Sequence, residues 1–325
     1  MLTKKRLALL TVLMTAAYFI LMLSLPESVV GTRADNPGMY ATKIIFLSMT
    51  AAVTTAFILI LVFKGDFVKV QIQTFNRFRH LLRLLVKRDF VSRYRKSVLG
   101  VLWSLLNPLL TMLVMTLVFS YLFRAEIPNF PVYMLSGQVI FSFFSEATMQ
   151  AMGSVIAGES VIKKVYVPKY IFPMARVLSS LVNLFFAFLA FLFVFILTRA
   201  PFHWTLLLIP IPIIYTFVFS LGVAMLMSAL AVFFRDITYL YSVFLTLITY
   251  LTPLFYPVEI IPERIRLFMG FNPLYHFVDY FRSLALYGTV PGLWANVVCL
   301  GFSMAAFCCG LYVFMTKQEH FILNL

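Results

Sequence analysis

Apolar positions in this chain come in long blocks, separated by short charged or Pro/Gly-containing segments. After Lys4, Lys5 and Arg6 come nineteen uncharged residues up to Leu25, and a second apolar block covers Ile44–Phe63. Further blocks cover Ser97–Phe123, Val132–Ala157, Tyr170–Thr198, Thr205–Phe234, Ile237–Pro257 and Leu293–Met315. A membrane-crossing helix needs about 20 predominantly apolar residues. The pattern therefore predicts an all-α integral membrane protein with eight crossings. The first block is longer than the ~7–15-residue apolar core of a secretory signal, and Ser24-Leu25-Pro26-Glu27 is not a small-x-small cleavage site. It is read as an uncleaved span.

Two segments break the simple pattern. Over residues 71–97, Arg79, Arg83, Lys87, Arg88, Arg93, Arg95 and Lys96 are set against Phe78, Leu81, Leu82, Leu85 and Val86 at helical spacing. Such a helix lies in the headgroup plane, cations toward phosphate. Residues 64–77 read as a polar connector leading into it. Over 258–290, Glu259, Glu263, Arg264, Arg266, Asp279 and Arg282 interrupt two apolar pieces too short to cross, punctuated by Pro262, Gly270, Asn272-Pro273 and Gly288. That pattern predicts a re-entrant pair of half-helices. Inside the Ser97–Phe123 block, Asn107-Pro108 should open the backbone ladder locally.

Composition agrees: 62% of residues are hydrophobic and 12% charged, against about 45–50% and 25% in soluble domains. The formal charge of +14 argues for topology rather than nucleic acid, because the cations cluster beside the apolar blocks. With the N-terminus inside, inner segments carry 18 Lys and Arg and outer segments 7, including Arg282. Both termini are thus expected in the cytoplasm. Cys299, Cys308 and Cys309 lack metal-ligand spacing and read as small packing residues.

Catalytic and nucleotide-binding motifs are missing. The chain contains no Gly-Lys pair, hence no phosphate-binding loop, and neither Asp-x-Asp nor His-Glu-x-x-His. If the protein moves cargo uphill, another chain must bind the nucleotide.

The run Arg93-Tyr94-Arg95-Lys96-Ser97-Val98-Leu99-Gly100-Val101-Leu102-Trp103-Ser104-Leu105-Leu106-Asn107-Pro108 resembles the signature of ABC-2 type permeases. The later order agrees: Gly158-Glu159 through Lys164 and Pro168, then Phe234-Arg235-Asp236-Ile237, Asn272-Pro273-Leu274 and Phe281-Arg282. The resemblance covers about residues 75–320. It implies a six-span core with a re-entrant pair and an interfacial helix, here preceded by two extra spans in residues 1–70. The core itself would occupy 98–325. It also implies two permease copies with two ABC ATPase subunits, exporting an undecaprenyl-pyrophosphate-linked polysaccharide (O-antigen, capsule or wall glycan) through the bacterial plasma membrane. ATP and Mg would sit on the ATPase, with no cofactor on this chain. By the same resemblance, Glu159, Lys163 and Lys164 form a coupling segment against the ATPase, and Arg235 and Asp236 a second contact.

Chemistry suggests further candidates. Arg79, Arg83, Arg88, Arg93 and Arg95 suit a pyrophosphate, since guanidinium binds phosphate in a bidentate way; positive-inside charge and anionic lipid account for them as well. Glu146 is ionisable within an apolar block, which suggests function by default, or pairing with an arginine or Gln150. Trp103, Tyr133, Tyr250 and Tyr256 are, with Glu146, the candidates for lining a wet sugar path. Two rival readings remain: an ABC-2 permease for a drug or small lipid, and an integral-membrane enzyme acting on polyprenyl-linked sugars.

Overall fold

The computed structural model describes residues 65–95, 97–119, 127–262 and 269–324. The two N-terminal spans expected within residues 1–63 lie outside them. The described residues are helical, without strands: α1 Gly65–Tyr94, α2 Leu102–Leu117, α3 Phe130–Met152, α4 Ser154–Ala157, α5 Glu159–Ile162, α6 Ile171–Leu197, α7 Pro210–Phe233, α8 Ile237–Leu251, α9 Pro273–Ala285, α10 Leu293–Lys317 and α11 Phe321–Asn324. Among the described residues, four helical stretches are long and apolar enough to cross a membrane: Gly100–Leu117, Ile171–Leu197, Trp204–Phe233 and Leu293–His320. α3 has 23 residues, about 34 Å at 1.5 Å per residue. α8 has 15, about 22 Å by the same rise.

Several sequence boundaries are corrected. Residues 65–77 are helix rather than connector, because nothing in Gly65–Arg77 breaks a helix after its first residue and α1 runs 30 residues unbroken. The block expected to reach Ala157 ends at Met152, where Gly153 separates α3 from the one-turn α4. The block expected over Ile237–Pro257 stops at Leu251, with Thr252 extended at φ −92, ψ 123. Pro253 disfavours the helical region for the residue before it, so the boundary follows from sequence. Pro108 lies inside a continuous α2. The carbonyl of Ser104, four residues earlier, is the one that loses its helical donor.

α3 is the central helix, packed by α6, α7, α9, α2 and α8. Val132, Met134, Leu135, Ala147 and Ala151 on it are fully buried. Small residues let its neighbours approach, and phenylalanines fill the space between them. Phe144 and Phe219 lie 5.4 Å apart, Phe219 and Phe277 5.5 Å, and Phe191 and Phe281 5.3 Å. By contrast Phe185 and Phe193 face outward. Tyr241 pins α8 to α3, its hydroxyl donating to Thr148 Oγ1 at 2.8 Å. The tightest crossing is α7 on α10: a β-carbon on Gly310 would lie 1.9 Å from the Gly222 carbonyl oxygen, and one on Gly222 would lie 2.4 Å from Ala306 backbone. Small residues at such a crossing bring the two backbones into contact.

The two ends of the bundle differ. At one, Asn129 Nδ2 donates to Thr198 Oγ1 at 3.1 Å and Thr205 Oγ1 to the Leu284 carbonyl at 2.6 Å. α6 terminates there on Arg199 at φ 52, with Ala200 N–H donating to Phe195 O and Arg199 N–H to Ile196 O, the paired bonds of a Schellman ending. At the other end α5, the start of α6, the end of α7 and α11 converge. Phe321 is fully buried, 5.8 Å from Phe233 and 5.3 Å from Phe314.

Candidate functional site

α1 builds two adjoining features against α6. Its apolar stripe puts Leu82 and Leu85 in the core, with Phe90 stacked 6.3 Å from Phe186. The Asp89 carboxylate holds it in register, accepting Arg176 from α6 at 3.0 Å, with Arg88 at 3.6 Å. The first feature is an open groove of about 710 Å³ whose apolar floor includes Phe75, Leu82, Phe90, Leu178 and Val182. Arg79, Arg83 and Lys87 stand along it.

The second begins where the groove's helices continue. A cavity of about 440 Å³ lies among the end of α1, α2, α3 and α6, lined by Arg93, Trp103, Asn107, Gln138, Ser142, Glu146 and Asn183 among others. Its centre is Glu146. Oε1 accepts from Arg93 Nη1, from Gln150 Nε2 at 2.7 Å and from Asn183 Nδ2 at 2.6 Å. One carboxylate oxygen thus joins α1, α3 and α6. Burial disfavours the Arg93 charge, but the Glu146 carboxylate more than offsets this, and the guanidinium pKa rises above its ordinary value. Tyr94 hydrogen-bonds Ser104, and Ser97 Oγ accepts the Gly100 N–H at 3.2 Å. Gly100 has φ +48, so the turn from α1 into α2 uses the left-handed region that glycine enters without steric cost.

The sequence candidates separate into several places. Arg93, Trp103 and Glu146 meet at the cavity, and Arg79 and Arg83 at the groove. Arg88 borders a smaller pocket between α1 and the α4–α5 turn, and Arg95 is exposed beyond α1. Tyr250 is exposed on α8 and its carbonyl accepts the Tyr256 hydroxyl. Tyr133, expected on a wet path, is instead 6% exposed, because its ring is packed under a buried arginine.

That arginine is Arg282, 4% exposed and stacked 3.6 Å over the Tyr133 ring. It donates to Ser136 Oγ at 3.3 Å and to the carbonyls of Pro253 at 2.8 Å, Tyr133 at 3.2 Å and Leu254 at 3.2 Å. Tyr133 in turn donates to the Tyr256 carbonyl at 3.0 Å. The pair holds the turn after α8 onto α3 and α9. Arg282 was counted as an outer-segment cation from sequence. Its buried guanidinium is taken up by these carbonyls and the Ser136 hydroxyl.

The docking candidates share the other end of the bundle. Glu159 and Lys163 form an i,i+4 pair at 2.7 Å on α5. Lys164 is exposed, as are Arg235 and Asp236 in the turn between α7 and α8. Nearby, Lys169 donates to the Gln318 carbonyl and stands 5.7 Å from the Phe321 ring centre. Burial lowers its ammonium pKa, with Glu319 pulling it partly back. Gly158 fits this turn against Phe172, since a β-carbon there would lie 2.6 Å from the ring.

Sequence reading did not single out Gln138, Asn183, Asp89 or the buried role of Arg282. The signal available for the first two was a carboxamide within an apolar block, where an unpaired amide is costly.

The family described as "ABC-2 type transporter" matches residues 80–286. O-antigen export system permease protein RfbA of Klebsiella pneumoniae is 31% identical over 214 residues, covering 65% of this chain and 82% of the relative. Its Myxococcus xanthus namesake is 28% identical over 248 residues, covering 75% and 95%. Polysialic acid transport protein KpsM of Escherichia coli is 23% identical over 248 residues, covering 72% and 92%.

Proposed function

The chain belongs to the ABC-2 type transporter family, and on that premise we propose that it exports an undecaprenyl-linked cell-surface polysaccharide outward across the bacterial plasma membrane. It is a multi-pass inner-membrane permease for polysaccharide export, and ATP hydrolysis belongs to a separate ABC ATPase subunit. No step of bond-making is assigned to this chain.

The observation that carries the finer reading is the succession of groove and cavity along α1 and α6. A cation-bordered apolar groove adjoins a polar cavity, within two turns of the same helices. An amphiphile with an acyl chain, a pyrophosphate and a sugar presents those chemistries in that order. Arg79, Arg83 and Lys87 meet the phosphates, and the polar cavity lies where the glycan begins.

The remaining parts follow. Both termini are cytoplasmic, by the distribution of Lys and Arg. Glu159, Lys163, Lys164, Arg235 and Asp236 face the ATPase, which holds ATP and Mg. α2 buries none of its residues within the monomer, and α8 buries only Tyr241 and Leu245. A second copy covers part of these apolar faces, and lipid the rest. The six-span core counts α3 and the short α8 with the four longer stretches.

The test is transport in sealed vesicles containing the permease and its ATPase. A fluorescent lipid-linked oligosaccharide should cross only with hydrolysable nucleotide. Crossing with a hydrolysis-dead ATPase, or transport of a drug-like amphiphile in place of the glycolipid, overturns the reading.

A further inference from the structure

We propose that the cavity between α2, α3 and α6 is a binding subsite for the uncharged sugar next to the lipid pyrophosphate, with Gln138 and Asn107 as its hydrogen-bonding groups and Trp103 as its stacking face. The proposal rests on the export reading above and names what one part of that path recognises.

Charge excludes phosphate as the occupant. The ionisable groups of opposite sign on the lining are Arg93 and Glu146, and they are bonded to each other. A phosphate would have to displace a carboxylate that already receives three donors. Polarity argues against an acyl chain, because Asn107, Gln138, Ser142 and Asn183 all border the space. Arg79 and Arg83, which have no carboxylate partner among the described residues, lie by the neighbouring groove and not here.

Unused hydrogen-bonding capacity points the same way. Gln138 Oε1 is buried without a hydrogen-bond partner among the described residues, a costly state for an amide oxygen. Asn107, one turn along α2 from Trp103, is exposed on the lining. Pro108 frees the Ser104 carbonyl at the same edge. Trp103 is 45% exposed and lines the cavity. Carboxamides offer both donor and acceptor to a hydroxyl. An indole offers an apolar face to the C–H side of a sugar ring and a polar N–H at its edge. At about 440 Å³ the space lies within the range of small-ligand sites.

The test uses the permease with its ATPase in lipid nanodiscs, without nucleotide. Two probes are titrated: undecaprenyl pyrophosphate, and the same lipid bearing one hexose or one N-acetylhexosamine. Wild type should hold a glycosylated probe about tenfold more tightly than the bare lipid, the effect of one or two added hydrogen bonds with stacking. Gln138→Leu and Asn107→Leu should each remove most of that margin while affinity for the bare lipid stays within about twofold, which also reports a folded site. Trp103→Phe should keep the margin and Trp103→Ala lose it. Equal wild-type affinity for bare and glycosylated lipid overturns the subsite while leaving the export reading intact. Failure of both probes to bind overturns both. A parallel loss of both probes in the Gln138 and Asn107 variants assigns these residues to packing and also overturns the subsite.

Discussion

A β-carbon on Gly137 would lie 2.9 Å from Nη2 of Arg282 and 2.9 Å from Leu254 Cδ2. Gly137 thus makes the room in which the buried guanidinium lies across α3. The room matters because Arg282 supplies donors to three carbonyls from two separate segments, and no other group type carries donors in that planar fork.

Replacing Arg282 with Met should leave the carbonyls of Pro253, Leu254 and Tyr133 short of donors. The expected loss is about 3 kcal/mol or more of stability, read as a lower midpoint of thermal unfolding in detergent. Gly137→Ala, which crowds the same guanidinium, should cost about 1–3 kcal/mol. Arg282→Lys should not restore wild-type stability, since an ammonium cannot reach all three acceptors.

At the α7–α10 crossing the obstruction is backbone. Gly310→Ala should force the two helices apart and cost about 3 kcal/mol, visible as loss of folded, monodisperse protein. Gly292→Ala is the matched control, because nothing lies within 4 Å of a β-carbon there. Its unfolding midpoint should stay close to wild type.

The ion pair between Arg93 and Glu146 ties the end of α1 to α3, and its strength is measurable by a double-mutant cycle. Arg93→Gln and Glu146→Gln should each destabilise, and the double variant should lose less than their sum, with a coupling of about 1–2 kcal/mol. Strict additivity in unfolding midpoints would show that the two side chains do not act together.

Lys164→Glu and Arg235→Glu reverse charges on exposed side chains. Each should leave stability within about 0.5 kcal/mol and weaken association with the ATPase by about tenfold, measured by co-purification and by surface binding. Lys169→Met makes an informative contrast. Lys169 is tied to Gln318 and Phe321, so its loss should appear in stability before it appears in binding.

Gly100→Ala tests the α1–α2 turn. Space around the added methyl is open, the nearest atom being Ser97 O at 3.9 Å, so only the positive φ opposes it. A cost of about 1–2 kcal/mol follows from the left-handed conformation, read as a lower unfolding midpoint without loss of fold.

Much of the architecture was legible from apolar block lengths and charge. The amphipathic character of α1, the polar segment at Gly158–Lys169, the break at Arg235-Asp236 and the start of α9 at Asn272-Pro273 are local features. Asn272 caps α9 by accepting the Leu274 N–H at 3.1 Å, as an N-terminal signal followed by proline predicts. Ends of blocks were less legible where apolar residues continued past a local breaker, as at Gly153. The candidate site was legible in part. Glu146 stood out because a charge within an apolar block suggests function by default, and the arginines because guanidinium suits a phosphate, whereas Gln138 and Asn183 carry no charge to draw notice.

By itself the sequence determined the class of molecule, its helical periods and the family to which it belongs, because these rest on composition, spacing and short motifs. Which arginine faces a carboxylate, which faces carbonyls, a hydroxyl and a ring, and which stands along a groove was decided by tertiary packing. Arg93, Arg176 and Arg282 are alike as letters in the chain. Packing gives each a different role through partners 53, 87 and 149 positions away, and no local pattern encodes a contact across such separations.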